Sequence, residues 1–230
     1  MSARYEAGST PDALGYARRY GPLVPADTAG RVLLVAFAAA LVGDLVSLLA
    51  DAELGHRIAK PLLMPLLAAL VIVHRGPRLL VAALICGWGG DVFLLGDCDL
   101  AFLAGMGSFA LGHLCYLKLF GRARTPRGSV LVYGVALVGA VAALWPGLPA
   151  ELRVPVAGYS LLLTAMAWRS TALGFAAGVG GALFLISDLI IATGVADWPQ
   201  PPASDFWIML LYAVGQLLLT LGVLSRQPRR

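Results

Sequence analysis

The chain has 230 residues, of which 59% are hydrophobic and only 13% are charged, and its mean hydropathy is +0.82. This composition excludes an ordinary soluble domain and predicts an all-α polytopic membrane protein. The formal net charge of +4 does not indicate a nucleic-acid partner, because the arginines stand at the ends of apolar runs, where membrane topology accounts for them.

The two ends of the chain predict short cytoplasmic tails on either side of one transmembrane domain, expected over residues 31–225. Residues 1–30 carry polar groups, glycines and prolines but lack the apolar core of a cleaved signal peptide. Residues 226–230 are basic. The three cysteines are not spaced in pairs and no histidine cluster accompanies them, so neither a disulfide framework nor a metal site is expected.

Eight segments have roughly the 20 mostly apolar residues that a membrane-spanning helix needs. The second and sixth are the shortest. In chain order the predicted spans are 31–50, 60–74, 78–95, 100–120, 128–145, 154–168, 173–194 and 205–225.

The distribution of basic residues predicts the orientation of these spans. With a cytoplasmic amino terminus, the outer side keeps only Arg57, Lys60 and Arg153 of the 17 lysines and arginines. This positive-inside bias supports an even number of spans, with both termini cytoplasmic. Lysine is rare among the basic residues, occurring only at Lys60 and Lys118. Such arginine-rich usage is typical of a GC-rich bacterial gene and predicts a bacterial plasma membrane.

Two acidic residues stand inside predicted spans at similar depth. Asp91 lies in "GWGGDVFLLGD" of the third span, and Asp188 lies in "ISDLIIATG" of the seventh. A charged side chain near the centre of a span costs about 2.5–3.5 kcal/mol on insertion scales, so it usually serves a partner, a proton or a reaction. The two aspartates are therefore the first candidates for a functional site.

The chain also shows signs of an internal duplication. Besides the two aspartate motifs, "FALGHLCYL" in the fourth span matches "YAVGQLLLT" in the eighth. An offset of four helices preserves orientation, so a 4+4 parallel repeat about an axis normal to the membrane is predicted.

The two aspartates allow a structural and a functional interpretation. Each is able to hold the bundle together by a hydrogen bond to a neighbouring helix. Alternatively, a protonated acid beside an ionised carboxylate forms the working pair of general acid–base catalysis. Their matched depth favours the second interpretation.

Other polar side chains in the spans are candidates for supporting roles. His113 and Tyr116 share one helix face, as do Tyr212 and Gln216. Lys60 is expected to begin the second span before Pro61, either snorkelling to the outer interface or binding an anionic headgroup. Further expectations are that Asp44 is structural and that Ser187 bonds within its own helix or orients Asp188.

Four motifs in the same order resemble the lysoplasmalogenase family, which includes bacterial YhhN proteins and eukaryotic transmembrane homologues. They are "KPLLMPLL", "GGDVFLL" followed by "FLAGMGSFALGHLCYL", then "GALFLISDLIIA" and "YAVGQLLL". The resemblance covers residues 58–220. It implies an eight-helix membrane enzyme, with residues 31–225 as its catalytic domain, that hydrolyses the vinyl ether bond of lysoplasmalogens.

The resemblance also implies a set of site residues and no cofactor. The substrate would be an alkenyl glycerophospho-ethanolamine or -choline, and the partners would be this lysophospholipid and the surrounding membrane lipids. Asp91 and Asp188 are the expected catalytic residues, requiring no metal. The expected substrate-binding residues are Lys60, His113, Tyr116, Ser187, Tyr212 and Gln216.

Two competing functions use intramembrane aspartates. An intramembrane aspartyl protease needs a G-x-G-D pattern, but Trp88 stands where that pattern requires its first glycine. A proton-coupled transporter or lipid carrier would use the same aspartates as proton sites and fits the predicted repeat. Transport therefore stays open as the alternative to hydrolysis.

Overall fold

The computed structural model describes residues 27–96 and 98–227, and this part of the chain contains only helices, turns and loops, with no strand. A 3-10 turn, Thr171–Leu173, follows the sixth helix. The eight α-helices are α1 (Thr28–Leu49), α2 (Glu53–Val73), α3 (Arg78–Phe93), α4 (Asp99–Phe120), α5 (Ser129–Leu144), α6 (Arg153–Ser170), α7 (Phe175–Val195) and α8 (Ser204–Leu224).

Each predicted span coincides with one helix, and the all-α prediction is confirmed over the described residues. The helices α1, α2, α4, α7 and α8 are long and apolar enough to cross a membrane, and α5 is a shorter apolar helix. The chain is accordingly an integral membrane protein. Most of the two predicted tails, residues 1–26 and 228–230, lies outside the described residues.

The prediction that the second span begins at Lys60 is wrong. The helix α2 begins at Glu53 and contains both Pro61 and Pro65 in its interior. A proline has no backbone N–H to donate within a helix, and only the first turn of a helix has no need of that N–H. Pro61 therefore indicated that the helix begins there. In a membrane bundle, neighbouring helices satisfy the backbone groups that such a proline frees, so the helix continues through it.

The bundle is built from hairpins of consecutive helices. The tightest pairs are α1–α2, α3–α4 and α7–α8; α2 also packs on α3, α6 packs on α4 and α7, and α8 reaches back to α1 and α2. The main apolar core draws most of its buried residues from α2, α3, α4, α7 and α8, and Phe37 of α1 and Leu163 and Met166 of α6 also belong to it. At the periphery, α5 buries only Leu144.

Glycines allow the backbones of α7 and α8 to approach closely. A Cβ atom at Gly180 would lie 2.7 Å from the Gly215 carbonyl oxygen and 2.8 Å from the Leu219 nitrogen. A Cβ atom at Gly215 would in turn lie 2.9 Å from the Gly180 oxygen. Small residues at such a contact allow the van der Waals packing that holds helices together in lipid.

We expect Gly180→Ala to destabilise the bundle by about 1–3 kcal/mol, because the added methyl group would press against backbone atoms that cannot move aside. Gly134→Ala on α5 is the matched control, since a Cβ atom there meets nothing within 4 Å. Thermal unfolding in detergent measures both. Equal midpoints for the two variants would contradict the close packing of α7 on α8.

Asp27 and His74 form a polar pair that joins the beginning of α1 to the end of α2. The Asp27 carboxylate accepts a 2.9 Å hydrogen bond from the Gly30 N–H, capping α1, and it lies 2.8 Å from His74 Nε2. The other ring nitrogen, Nδ1, lies 2.8 Å from the Leu70 carbonyl oxygen. Because both ring nitrogens face acceptors, the pair is complete only when His74 is protonated.

The stabilisation from the Asp27–His74 pair should depend on pH. Burial lowers the pKa of His74, but the hydrogen bonds to Leu70 and Asp27 outweigh it and raise that pKa above 6.5. The Gly30 N–H, followed by His74, lowers the pKa of Asp27 below 3.8. The stabilisation is therefore present at pH values between the lowered pKa of Asp27 and the raised pKa of His74. It is lost as the pH rises through the pKa of His74.

Thermal unfolding of wild type and His74→Gln from pH 5 to pH 9 checks this prediction. The wild type should lose its advantage over His74→Gln as the pH rises. The difference should be small, because solvent screens this exposed pair. A constant difference over the whole range would show that protonation of His74 does not contribute.

Candidate active site

A cavity of about 170 Å³ opens among the helices α4 to α8 and reaches α2 and α3. Two parts of its wall differ in character. One part is apolar and includes Met106 of α4, Leu144 of α5 and Val195 of α7. The other part contains the polar side chains Lys60, Asp91, Tyr159, Ser187, Asp188 and Tyr212.

Asp91 stands near the end of α3, where its side chain is held by α8. Tyr212 donates a hydrogen bond of 2.9 Å to Asp91 Oδ2, and only 2% of Asp91 is exposed. Behind Tyr212, Tyr116 of α4 donates a 2.7 Å hydrogen bond to Gln216 Oε1. A buried polar group in a bundle needs such partners, and this network supplies them from two other helices.

Gly87, one turn before Asp91 on α3, leaves the space that this network occupies. A Cβ atom at this position would lie 3.3 Å from the Tyr212 hydroxyl and 3.4 Å from Gln216 Nε2. The glycine therefore allows the two α8 side chains to lie against α3.

Asp188 of α7 is held by a different tyrosine. Tyr159 of α6 donates a short hydrogen bond to Asp188 Oδ2, and His113 Nε2 lies 3.2 Å from the Tyr159 oxygen. Since Tyr159 gives its proton to Asp188, its oxygen accepts from His113, which places the histidine proton on Nε2. The Nδ1 atom of His113 is buried and has no partner within the described part of the chain.

The two aspartates thus share one arrangement. Each has its Oδ2 atom bonded to a tyrosine, whereas neither Oδ1 atom bonds to a residue that the structure describes. Both side chains line the same cavity. One oxygen of each carboxyl group is therefore left for a bound molecule or a water.

The structure brings all eight predicted site residues to this region, in two tiers. Five of them line the cavity: Lys60, Asp91, Ser187, Asp188 and Tyr212. The other three, His113, Tyr116 and Gln216, lie behind them and contact the tyrosines or each other. Lys60 is only 8% exposed and lines this internal cavity, so it does not snorkel to the interface.

The expectation that Ser187 bonds within its own helix is wrong. Its hydroxyl donates a 2.9 Å hydrogen bond to the Ile208 carbonyl of α8. A serine hydroxyl bonds within its helix unless another acceptor lies closer. The close approach of α7 and α8 provides that acceptor, which the sequence does not reveal.

Sequence reasoning did not select Tyr159 as a site residue. It lies in "VPVAGYSLLL" of the sixth predicted span, and a tyrosine hydroxyl in the middle of an apolar segment needs a partner. That requirement is the sequence signal that indicates a polar contact for Tyr159. The pattern of α6 does not show that the partner is Asp188.

Comparison with known proteins places the chain in a family. The sequence profile of the YhhN family matches residues 55–223. This chain belongs to the YhhN family. The matched segment runs from α2 into α8 and so contains both aspartates and both tyrosines that hold them.

Named relatives of this YhhN chain come from animals and bacteria. The chain is 38% identical to human lysoplasmalogenase TMEM86B over 151 residues, which are 66% of the chain and 65% of the human protein. It is 31% identical to the lysoplasmalogenase of Mycobacterium tuberculosis over 188 residues, covering 73% of the chain and 71% of that protein.

The human lysoplasmalogenase TMEM86A is also similar, with 30% identity over 170 residues, 69% of the chain and 70% of that protein. The chain spans just under two thirds of the length of the TMEM86B relatives that it matches. No solved structure matches this YhhN chain significantly.

We expect Tyr212→Phe and Tyr159→Phe each to lower the free energy of unfolding by about 1–2 kcal/mol, because each leaves a carboxyl group of the cavity without its donor. Tyr133→Phe on α5 is the control, since the Tyr133 hydroxyl bonds to no residue that the structure describes. Urea or thermal unfolding in detergent measures the three variants. Equal stability of all three would argue against the two tyrosine–aspartate bonds.

Proposed function

We propose that this protein is a lysoplasmalogenase, a membrane hydrolase that cleaves the vinyl ether bond of alkenyl glycerophospho-ethanolamine or -choline. The products are a fatty aldehyde and the glycerophospho-alcohol. The main support is the pair of aspartates, each held by a tyrosine, that line one largely apolar cavity. The lysoplasmalogenase names of several YhhN relatives agree with this activity.

The chemistry of a vinyl ether explains why two carboxyl groups are needed. Protonation at the carbon beta to the ether oxygen gives an oxocarbenium ion, which water then captures. The resulting hemiacetal collapses to the aldehyde and the alcohol. One carboxylic acid supplies the proton to carbon, while one carboxylate stabilises the cation and removes a proton from the water, much as in glycoside hydrolysis.

Asp91 and Asp188 are the proposed acid–base pair. The oxygen that each leaves free of tyrosine is available to the reacting carbon or to the attacking water. The tyrosines keep the carboxyl groups oriented, which maintains the geometry that proton transfer requires. Ser187 keeps α7 against α8 through its bond to Ile208 and so supports Asp188.

The other polar residues have proposed roles around this pair. Lys60 is buried beside the cavity, and its ammonium group makes no ion pair with a described residue, so it is available to the substrate phosphate. His113, Tyr116 and Gln216 do not line the cavity and act by positioning the two tyrosines. The apolar wall formed by α4 to α7 suits the alkenyl chain.

The proposed membrane topology has eight spans, with both termini cytoplasmic and residues 31–225 as the catalytic domain between two cytoplasmic tails. The membrane would be the bacterial plasma membrane. The positive-inside bias supports this orientation. The 4+4 repeat stays a proposal: its support is the matched aspartates of α3 and α7, although their tyrosine partners come from α8 and α6.

We expect Asp91→Asn and Asp188→Asn each to abolish turnover, a loss of at least about 100-fold, because an amide neither donates a proton to carbon nor removes one from water. Purified protein is incubated with an alkenyl lysophospholipid, and the released fatty aldehyde is measured by mass spectrometry. Asp205→Asn, at an exposed position of α8 outside the cavity, should keep its activity.

A saturated alkyl lysophospholipid serves as the substrate control, since without the double bond no carbon can be protonated to give the oxocarbenium ion. Aldehyde from the alkenyl lipid alone supports the proposal. Substantial activity in a folded Asp91→Asn or Asp188→Asn variant would refute the paired-acid mechanism. Absence of aldehyde from folded wild type would favour the transport alternative, which reconstituted vesicles with a proton gradient would then test.

A further inference from the structure

Two hydroxyl side chains of the cavity wall have no role in the mechanism above. Ser160 and Thr164 lie one turn apart on α6 and line the cavity on the same helix face as Tyr159. Thr164 is only 5% exposed, and Ser160 is partly buried. Burying a hydroxyl group costs free energy unless the group finds a hydrogen-bond partner, so each of these two side chains is expected to have one.

Neither hydroxyl bonds to any residue that the structure describes. A serine or threonine inside a helix normally bonds back to a carbonyl oxygen of the preceding turn. Other helical hydroxyls of this bundle do so, namely those of Ser47, Ser170 and Thr193. Because Ser160 and Thr164 do not, their hydrogen-bonding capacity is left for a molecule in the cavity.

The hydroxyl of Thr164 is open to the cavity. In the described part of the chain, the fully enclosed side-chain atoms without a partner belong to Asp44, His113 and Thr220. The Thr164 oxygen also lacks a protein partner but is not one of these enclosed atoms. It therefore contacts the open space of the cavity that its side chain lines. A nearly buried, unpartnered hydroxyl at a cavity wall indicates a polar ligand group at that point.

The other uncharged polar side chains of the cavity wall are already engaged. Tyr159 and Tyr212 donate to the two aspartates, and Ser187 donates to a carbonyl oxygen of α8. Among the described residues of the wall, the uncharged groups still able to bond to a ligand are therefore Ser160 and Thr164. Neither carries a charge, and each hydroxyl both donates and accepts, so the pair suits a hydroxyl group better than a phosphate.

The order of side chains along α6 agrees with the order of groups in a lysoplasmalogen. Val156 belongs to an apolar cluster with Leu144. Tyr159, which holds Asp188, follows Val156 by one turn. Thr164 lies about 8 Å further along the helix axis. In the lipid, the apolar alkenyl chain, the vinyl ether and the glycerol with its free hydroxyl follow one another in the same order.

We propose that Ser160 and Thr164 bind the free hydroxyl on the central glycerol carbon of the lysophospholipid. This subsite rests on the substrate proposed above. The two side chains hold the glycerol on one side of the reacting ether, while the apolar cluster at Val156 holds the alkenyl chain on the other side. Binding at both ends places the vinyl ether at the two aspartates. It also selects a lipid that carries this hydroxyl over one that lacks it.

Two alkenyl lipids that differ only in this hydroxyl test the subsite. One is alkenyl glycerophospho-ethanolamine, and the other is alkenyl propanediol phosphoethanolamine, in which hydrogen replaces the central hydroxyl. For wild type we expect kcat/KM for aldehyde release to be about tenfold higher, or more, with the glycerol lipid. The physical reason is that the propanediol lipid leaves both protein hydroxyls without a partner in an apolar cavity.

Thr164→Val and Ser160→Ala each remove one hydroxyl with little change in shape. Each should lower kcat/KM for the glycerol lipid about fivefold more than for the propanediol lipid, so that the preference falls toward one. Thr164→Ser keeps the hydroxyl and should keep the preference. Thr220→Val is the matched control, because it removes an unpartnered threonine hydroxyl outside the cavity and should match wild type with both lipids.

Two results would overturn the subsite. One is an equal loss of kcat/KM with both lipids in Thr164→Val and Ser160→Ala, because such a loss means that the hydroxyls order water or support α6. The other is a wild type that does not distinguish the two lipids.

Binding of uncleavable lipids separates the subsite from the reaction. The saturated alkyl forms of the same two lipids lack the double bond, and native mass spectrometry of the protein in detergent compares their affinities. If folded wild type releases no aldehyde but prefers the alkyl glycerol lipid, and Thr164→Val removes that preference, the hydrolysis fails while the subsite stands. If wild type releases aldehyde from both alkenyl lipids with equal kcat/KM, the subsite fails while the hydrolysis stands.

Discussion

The cost of a polar group inside an apolar bundle is the constraint on which the arrangement of this protein depends. Every carboxyl group that the helices carry inward must find a hydrogen-bond donor on another helix. Tyr212 meets that need for Asp91, Tyr159 meets it for Asp188 and His56 meets it for Asp44. These three bonds join α3 to α8, α6 to α7 and α1 to α2. The hydrogen bonds of the buried carboxyl groups therefore also hold the helices together.

Close packing of the helices makes these bonds possible. Gly87 leaves the Tyr212 hydroxyl and the Gln216 amide room beside α3, and Gly180 lets α7 approach α8. Once α7 and α8 are in contact, Ser187 reaches a carbonyl group of its neighbour. Small residues therefore do more than fill the bundle, because they set how near the donors and acceptors can come.

The same packing separates two environments within one cavity. Polar side chains from α2, α3, α6, α7 and α8 converge, while α4, α5 and the ends of α6 and α7 supply apolar walls. A molecule with a polar head and a long apolar chain matches both environments. The YhhN relatives named lysoplasmalogenase agree with a lipid of this kind, and the two carboxyl groups supply what the acid-catalysed opening of a vinyl ether requires.

The sequence by itself determined the membrane class, the approximate position of each helix in the described part of the chain and the two candidate aspartates, because hydropathy and the cost of an intramembrane charge are local properties. Only the tertiary structure decided which side chains meet. Tyr212 lies 121 residues from Asp91 in the chain, and the start of α2, seven residues before Lys60, was hidden by Pro61. Tyr159 reaches Asp188, and His56 reaches Asp44, because of how each helix is rotated about its axis. That rotation depends on packing against neighbouring helices, which no single apolar segment specifies.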